Sequence, residues 1–371
     1  MPSGAAHRRV RPIEHFSTPI LVVPLVLLAG ITGYSLFLAS DPRVNELFPP
    51  CLDPDAAARG PFSSIPVIGP PTCCLVSFFN AAMDSRRSAL IMGQIFSYIG
   101  AALTALTVES ARESNQASWM IRNPTPAWLV FNLAGGALVW QLAMVPSFIH
   151  HRKKQIEAPT VAAAPNRSED EDEGDRATAT AKLDLEGSRC VPAREVRAIP
   201  IAVALGYALP SLVSAISPTP KWILIWLYFP LYVSVIRVVA RRVVAPFGPA
   251  PKLHPESNGH AFLTIYALPI ICSIVSHYWF LYDLLFVADD RTATTRAALR
   301  FIEFDVSAIA VTVLYWIFVE AGPRVALVSV VSGLIAGPGA GLCFAWAARE
   351  WELKEIAQRH AVGQRREGQP T

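Results

Sequence analysis

Apolar runs set the pattern of this chain. Neither Asp, Glu, Lys nor Arg occurs in Phe16 to Ser40, Gly60 to Met83, Ser88 to Val108, Asn123 to Ile149 or Ala198 to Pro220. The series continues with Trp222 to Ile236, Ala261 to Tyr282, Val306 to Val319 and Val325 to Ala348. A bilayer core about 30 Å thick needs roughly 20 mainly apolar residues per helical crossing, and most of these runs reach that length. The two-residue alternation of a membrane barrel is absent, so the runs predict helices that satisfy their own backbone hydrogen bonds. The expected fold is all-α: a polytopic transmembrane helical bundle with eight or nine membrane segments.

Charge then orients the bundle. The segment 150–195 opens with His150, His151, Arg152, Lys153 and Lys154 and passes through Ala, Pro and Thr into an acidic tract, Glu169 to Asp175. Its composition supports no core, so a disordered connector is expected between an N-terminal bundle, 16–149, and a C-terminal bundle, 196–348. Polar tails, 1–15 and 349–371, flank the two bundles. Basic residues beside spans mark the cytoplasmic side, which places the connector there. Nine crossings put the N-terminus in the cytoplasm and bring Arg86, Arg87, Arg241, Arg242 and Lys252 to the connector's side. If the Pro- and Gly-rich run Gly60 to Met83 only dips into the membrane, eight remain and the N-terminus changes sides. Ser217 to Lys221 and Ala321 to Arg324 read as turns between adjacent spans. Gly333, Gly337 and Gly341, four apart, predict close helix contact.

Composition narrows the function classes. Only 16% of residues are charged, against about a quarter in soluble domains. The basic residues sit beside apolar runs, so nucleic-acid binding has no support. Cys51, Cys73, Cys74, Cys190, Cys272 and Cys343 show no metal-ligand spacing and read as small packing residues. The Asp289-Asp290 pair is followed by Arg291, which leaves the acidic motif of magnesium-dependent diphosphate chemistry incomplete. No cofactor or metal site is expected.

Ionisable groups at membrane depth are costly and mark function by default; here they are Glu109, His277, Asp283, Glu303, Asp305 and Glu320. Asp305 and Glu303 are two apart, about 200° around a helix, so one faces the head groups while the other enters the bundle. Asp305 is the better interior candidate, with an interfacial carboxylate as the plain alternative. Glu109 and Arg112 are three apart and can form an ion pair. The run from Ser276 to Asp283 ends in aromatic residues, either an interfacial belt or a pocket wall.

Three segments carry a resemblance: Ile65 to Phe79, Glu109 to Arg112, and Arg300 to Asp305. Together they resemble the fungal integral-membrane terpene cyclases of meroterpenoid pathways, of the ascofuranone and ascochlorin type, over about Phe16 to Ala348. The resemblance implies closure of the farnesyl chain of a lipophilic prenylated aromatic substrate, usually after epoxidation of its terminal alkene. It implies a metal-independent isomerase-like enzyme of terpenoid secondary metabolism in the endoplasmic reticulum membrane, beside other membrane-bound biosynthetic enzymes. Asp305, Glu109 and Glu303 are then the candidate acids. His277, Tyr278, Trp279, Tyr282, Arg112, Phe78 and Phe79 are the candidate substrate contacts. A small-metabolite transporter or a membrane scaffold protein fits the same topology.

Overall fold

The computed structural model describes residues 11–40, 48–52, 69–162, 189–244, 252–253 and 258–367. The acidic tract Glu169 to Asp175, most of the connector, and the run 60–68 lie outside the described residues. Helices dominate: α1 (Thr18–Ala39), α2 (Gly69–Ala82), α3 (Arg86–Ala111), α4 (Thr125–Ala134), α5 (136–162) and α6 (Ala193–Ile216). They are followed by α7 (Pro220–Leu227), α8 (Phe229–Val244), α9 (Gly259–Phe286), α10 (Ala293–Ala321), α11 (Pro323–Ala336) and α12 (Pro338–Glu367). A two-residue ladder pairs β1 (Val191–Pro192) antiparallel with β2 (Lys252–Leu253). The all-α bundle expected from the apolar runs is what forms. Helices from both sides of the connector pack together, α3 against α9 and α12 above all.

Polar contacts define two opposite faces. On one, Lys153 Nζ donates to Ile13 O at 3.1 Å, His151 Nε2 meets Ser114 O at 2.9 Å, and Arg112 Nη1 donates to Arg189 O at 2.7 Å. Both described ends of the connector and the N-terminal segment therefore share this face. On the other, Arg87 Nε pairs with Asp283 Oδ2 at 3.0 Å and Asp290 accepts the N–H groups of Arg86 and Arg87. Cys51 and Cys73 are joined by a disulfide.

Five helices among the described residues are long and apolar enough to cross a membrane, α1, α3, α6, α9 and α10, and the bent pair α7–α8 makes a sixth if it is one span. The described parts of the other three apolar runs contain no helix that meets both conditions. Helix α2 ends just before Ser85, and the disulfide ties its first half to Cys51. Asn123 to Ile149, expected as one span, is a hairpin: α4 runs inward, turns at Gly135 and returns as α5. Val325 to Ala348 does the same, with α11 and α12 joined at Gly337. Both tip glycines have positive φ, 93° and 89°, a region that residues with a Cβ enter only at a cost. That backbone turn, which apolar periodicity does not report, folds each of these runs back on itself and leaves five or six candidate spans where eight or nine were expected.

Two expectations change with this. Arg86 and Arg87, beside Asp283 and Asp290, lie opposite the described ends of the connector rather than beside them. Cys51 and Cys73 are cross-linked rather than packing residues. The N-terminus still shares the connector's face, since an even number of crossings precedes it. Arginines and lysines concentrate on that face, the pattern expected under the positive-inside rule.

Local sequence explains the irregular turns. Single π-helical turns occur at Trp140–Met144 and Ala204–Ala208, ahead of Pro146 and Pro210 in the same helices. Proline lacks the N–H for the i−4 carbonyl and its ring crowds that turn, so the helix widens. Pro220 and Pro323 each stand at the start of a helix, as the turns read from sequence require. Gly333 and Gly341 meet across the second hairpin: a Cβ on Gly341 would come within 2.6 Å of Gly333 Cα. Large apolar side chains of α1 and α9, including Ile20, Val23, Leu27, Leu263 and Ile271, face outward, which suits hydrocarbon and would be a liability in water.

Candidate active site

Asp305 lies about three turns into α10. Its Oδ2 accepts the N–H of Gly136 at 3.0 Å and its Oδ1 that of Ala137 at 2.9 Å. The side chain thus caps the N-terminus of α5 from another helix, at the tip of the first hairpin, where two backbone donors are left orphaned in the bundle interior. Ser273 holds the second tip in the same manner, accepting the N–H of Ala340 at 2.9 Å. Glu303 does not share this site: the charges acting on it are those of Arg291 and Arg300.

One helical turn before Asp305, Phe301 starts a row of rings. Phe301 and Phe78 are 5.4 Å apart, Phe78 and Phe79 5.8 Å, Phe79 and Trp226 5.1 Å, and Trp226 and Phe96 4.8 Å. Phe78 and Phe79 therefore join a row that starts one turn from Asp305. The partners Phe96, Trp226 and Phe301 carry no distinguishing signal in the sequence, since an aromatic residue in an apolar run reads equally well as packing.

The row ends at a cleft of about 650 Å³ between α3, α6 and α9. Its wall is mainly apolar, with Leu90, Phe96, Leu212 and Val275, and carries a few hydroxyls, among them Ser97, Ser211 and Ser276. Tyr207, buried on the π turn of α6, donates from its hydroxyl to Phe96 O at 2.8 Å. Trp279 lines the cleft. His277 bridges instead, Nδ1 to Gln94 at 3.1 Å and Nε2 to Leu334 O at 3.2 Å, and the Tyr278 hydroxyl donates to Ile335 O at 3.0 Å. Both therefore brace the second hairpin. Tyr282 stacks on Phe286 and is more than half exposed, in the manner of an interfacial belt.

Glu109 and Arg112 form the ion pair read from their spacing, 2.8 Å apart, but within a larger buried knot. Glu109 also binds Arg349 at 3.0 Å, Asn115 at 3.0 Å and the Trp346 indole at 3.2 Å. Arg349 pairs with Glu320 and with Glu350, and its guanidinium lies 4.6 Å from the Trp346 ring. Arg189 pairs with Glu350. Arg189, Arg349 and Glu350 were not singled out from sequence, because they fall just outside apolar runs, where a solvated charge is the ordinary reading. Near the opposite face, the Arg291 side chain holds Asp289 well below the usual carboxylate range. Burial works against ionisation of Asp290, but the N–H groups of Arg86 and Arg87 outweigh it and lower its value too. Among the described residues no cluster of His, Cys, Asp or Glu is spaced to hold a metal ion.

The CtvD domain matches residues 52–288, well over half of the chain. The chain belongs to the CtvD family. No curated protein and no solved structure matches it. CtvD is a family of meroterpenoid-type cyclase domains, which agrees with the class of enzyme that the local motifs resemble. The CtvD segment contains Phe78, Phe79, Glu109, Arg112, His277, Tyr278, Trp279 and Tyr282 and the whole lining of the apolar cleft. Asp305 lies beyond its end, on the helix that closes the tip of the first hairpin.

Proposed function

We propose that this protein is a membrane-bound cyclase that closes the farnesyl chain of a prenylated aromatic substrate, started by protonation of a terminal epoxide by Asp305. The observation that carries the assignment of the acid is electrostatic. Asp283, Glu109, Glu303 and Glu320 each have an arginine among their partners or nearest charges. Asp305 has only the two backbone N–H groups, so among the described residues its proton is not displaced by a neighbouring cation. Each of its oxygens keeps a second lone pair for a proton or a substrate oxygen.

In this reading the acid gives its proton to the epoxide oxygen as the C–O bond breaks, leaving a carbocation on the chain. An alkene or hydroxyl of the same substrate supplies the electron pair that closes the ring, and a proton returns to the carboxylate. The product is an isomer of the substrate. Aromatic faces such as Phe78, Phe79 and Phe301 stabilise a desolvated cation by about 2 kcal/mol or more each, and a dry wall keeps water from trapping it. The apolar cleft, within the roughly 300–1,000 Å³ usual for ligand sites, is the proposed berth for the rest of the substrate, entered laterally from the bilayer.

The test is direct. Microsomes containing the protein are incubated with a farnesylated phenol and with its terminal epoxide. A new product of unchanged mass from the epoxide supports the reading. Uptake into sealed vesicles with no chemical change replaces it with transport.

A further inference from the structure

A second cavity, of about 440 Å³, opens between α3, α4, α6 and α8. It lies on the face that carries the described ends of the connector, since Glu113 in its wall donates its N–H to Cys190 O at 3.3 Å. The wall is chiefly polar. Thr107, Asn123 and Ser234 stand beside four arginines, Arg122, Arg194, Arg237 and Arg241, and two glutamates, Glu113 and Glu195. Glu195 is clasped by Arg237 at 2.8 Å and Arg241 at 3.0 Å, and Arg237 also donates to Ser110 Oγ at 2.7 Å. Arg122 and Arg194 are exposed and have no ion pair among the described residues. The cavity wall thus carries two more positive charges than negative ones.

The backbone adds to this field. Helices α4 and α6 both begin at the rim, at Thr125 and Ala193, and neither N-terminus has a side-chain cap. A helix N-terminus presents orphan N–H groups and about half a positive charge, which suits an oxyanion. The carboxylate in the first turn of α6, Glu195, is already committed to the clasp. Surplus positive charge in a polar wall calls for a compact anion on a polar carrier. A phosphate monoester carries about −1.5 to −2 charge at neutral pH and three acceptor oxygens on one centre, which matches the excess of two. An arginine fork takes two of those oxygens and leaves the third for another donor. We infer that this cavity binds the phosphate of a small, polar phosphate monoester, with Arg122 and Arg194 as its charge partners. The inference uses none of the residues assigned to cyclisation and stands independently of Asp305.

The test is calorimetric titration of the full chain in phosphatidylcholine nanodiscs with glycerol 3-phosphate, and with glycerate, malate and glycerol as controls. Glycerate bears one charge on a similar carrier, and malate bears two on separate carboxylates. Glycerol 3-phosphate should bind about tenfold more tightly than either, as expected for one charge-assisted hydrogen bond, and glycerol should not bind. The double variant Arg122→Gln/Arg194→Gln should weaken glycerol 3-phosphate about tenfold and keep the native unfolding temperature, since neither arginine has an ion pair to lose. Arg197→Gln, which removes an exposed charge one turn along α6 and outside the cavity wall, should bind as the native protein does. Absence of saturable binding, equal affinity for malate, native affinity in the double variant, or an equal loss in Arg197→Gln overturns the inference. Discs containing phosphatidic acid separate the two sources of such a phosphate: competition assigns the site to a lipid head group, and undiminished binding assigns it to a soluble ester.

Discussion

Replacing Asp305 by Asn separates its two roles, cap and acid, and the structure gives a scale for each. The carboxylate accepts two N–H groups, at 2.9 and 3.0 Å. An amide has one acceptor oxygen, so its NH₂ must face one of those donors and that bond is lost. A buried donor left unsatisfied costs about 1–3 kcal/mol, and Asp305→Asn should lose that much stability. Ser273→Ala is the calibrating variant, because it removes the corresponding contact at the second tip, at a typical cap cost of about 1 kcal/mol, and touches no acid. If Asp305 is the donor, Asp305→Asn should also lose turnover by about 10²–10⁴-fold, the usual contribution of general acid catalysis. Ser273→Ala should retain turnover, and Glu303→Gln should lose little. The assay is formation of the isomeric product at saturating epoxide in microsomes matched for protein level, alongside thermal unfolding in detergent. Turnover by Asp305→Asn within threefold of the native rate would refute the assignment, and so would an equal loss in Ser273→Ala, which would make capping the whole effect.

Three further outcomes follow from the geometry. Reduction of Cys51–Cys73, which closes a loop of separation 22, should destabilise the protein by about 3 kcal/mol on loop-entropy grounds; maleimide labelling of sealed microsomes should reach these thiols only after reduction and opening of the membrane. Glu109→Gln leaves Arg112 and Arg349 short of a buried partner and should cost about 3–5 kcal/mol, seen as a lower unfolding temperature in detergent; an unchanged temperature would mean that the knot is not structural. Gly341→Ala drives a methyl into the Ser329 carbonyl and Gly333 across the second hairpin and should cost about 1–3 kcal/mol, whereas Gly93→Ala, which meets nothing within 4 Å, should be nearly neutral.

The limits of sequence reading follow from the residues. Apolar runs locate the membrane-embedded stretches because hydrocarbon demands them, and Pro220 and Pro323 mark helix starts because proline's fixed φ and missing N–H suit the first turn. The two hairpins were not legible, since their apolar runs read as spans and are turned back by a positive φ at Gly135 and Gly337. The charge knot was half legible: Glu109 and Arg112 are close in sequence, but Glu320, Arg349 and Arg189 meet them only through tertiary packing. Asp305 stands out as a carboxylate in an apolar run, while the partner that its oxygens hold, the start of α5, lies on a segment far away in the chain.

That last separation bears on how the chain assembles as it is made. Ser273 precedes the Ala340 amide it holds by 67 residues, so the second hairpin emerges to find its cap already in the membrane. Asp305 follows Gly136 by 169 residues. At about 5–20 residues per second, the ribosome adds those residues in roughly 10 to 30 seconds. For that interval the first hairpin has no carboxylate at its tip, and its run of apolar residues is free to be threaded across the bilayer as an ordinary span. Its final shape is therefore reached late, when α10 arrives, and synthesis that stalls before residue 305 should leave α4–α5 in a different topology from that of the finished protein.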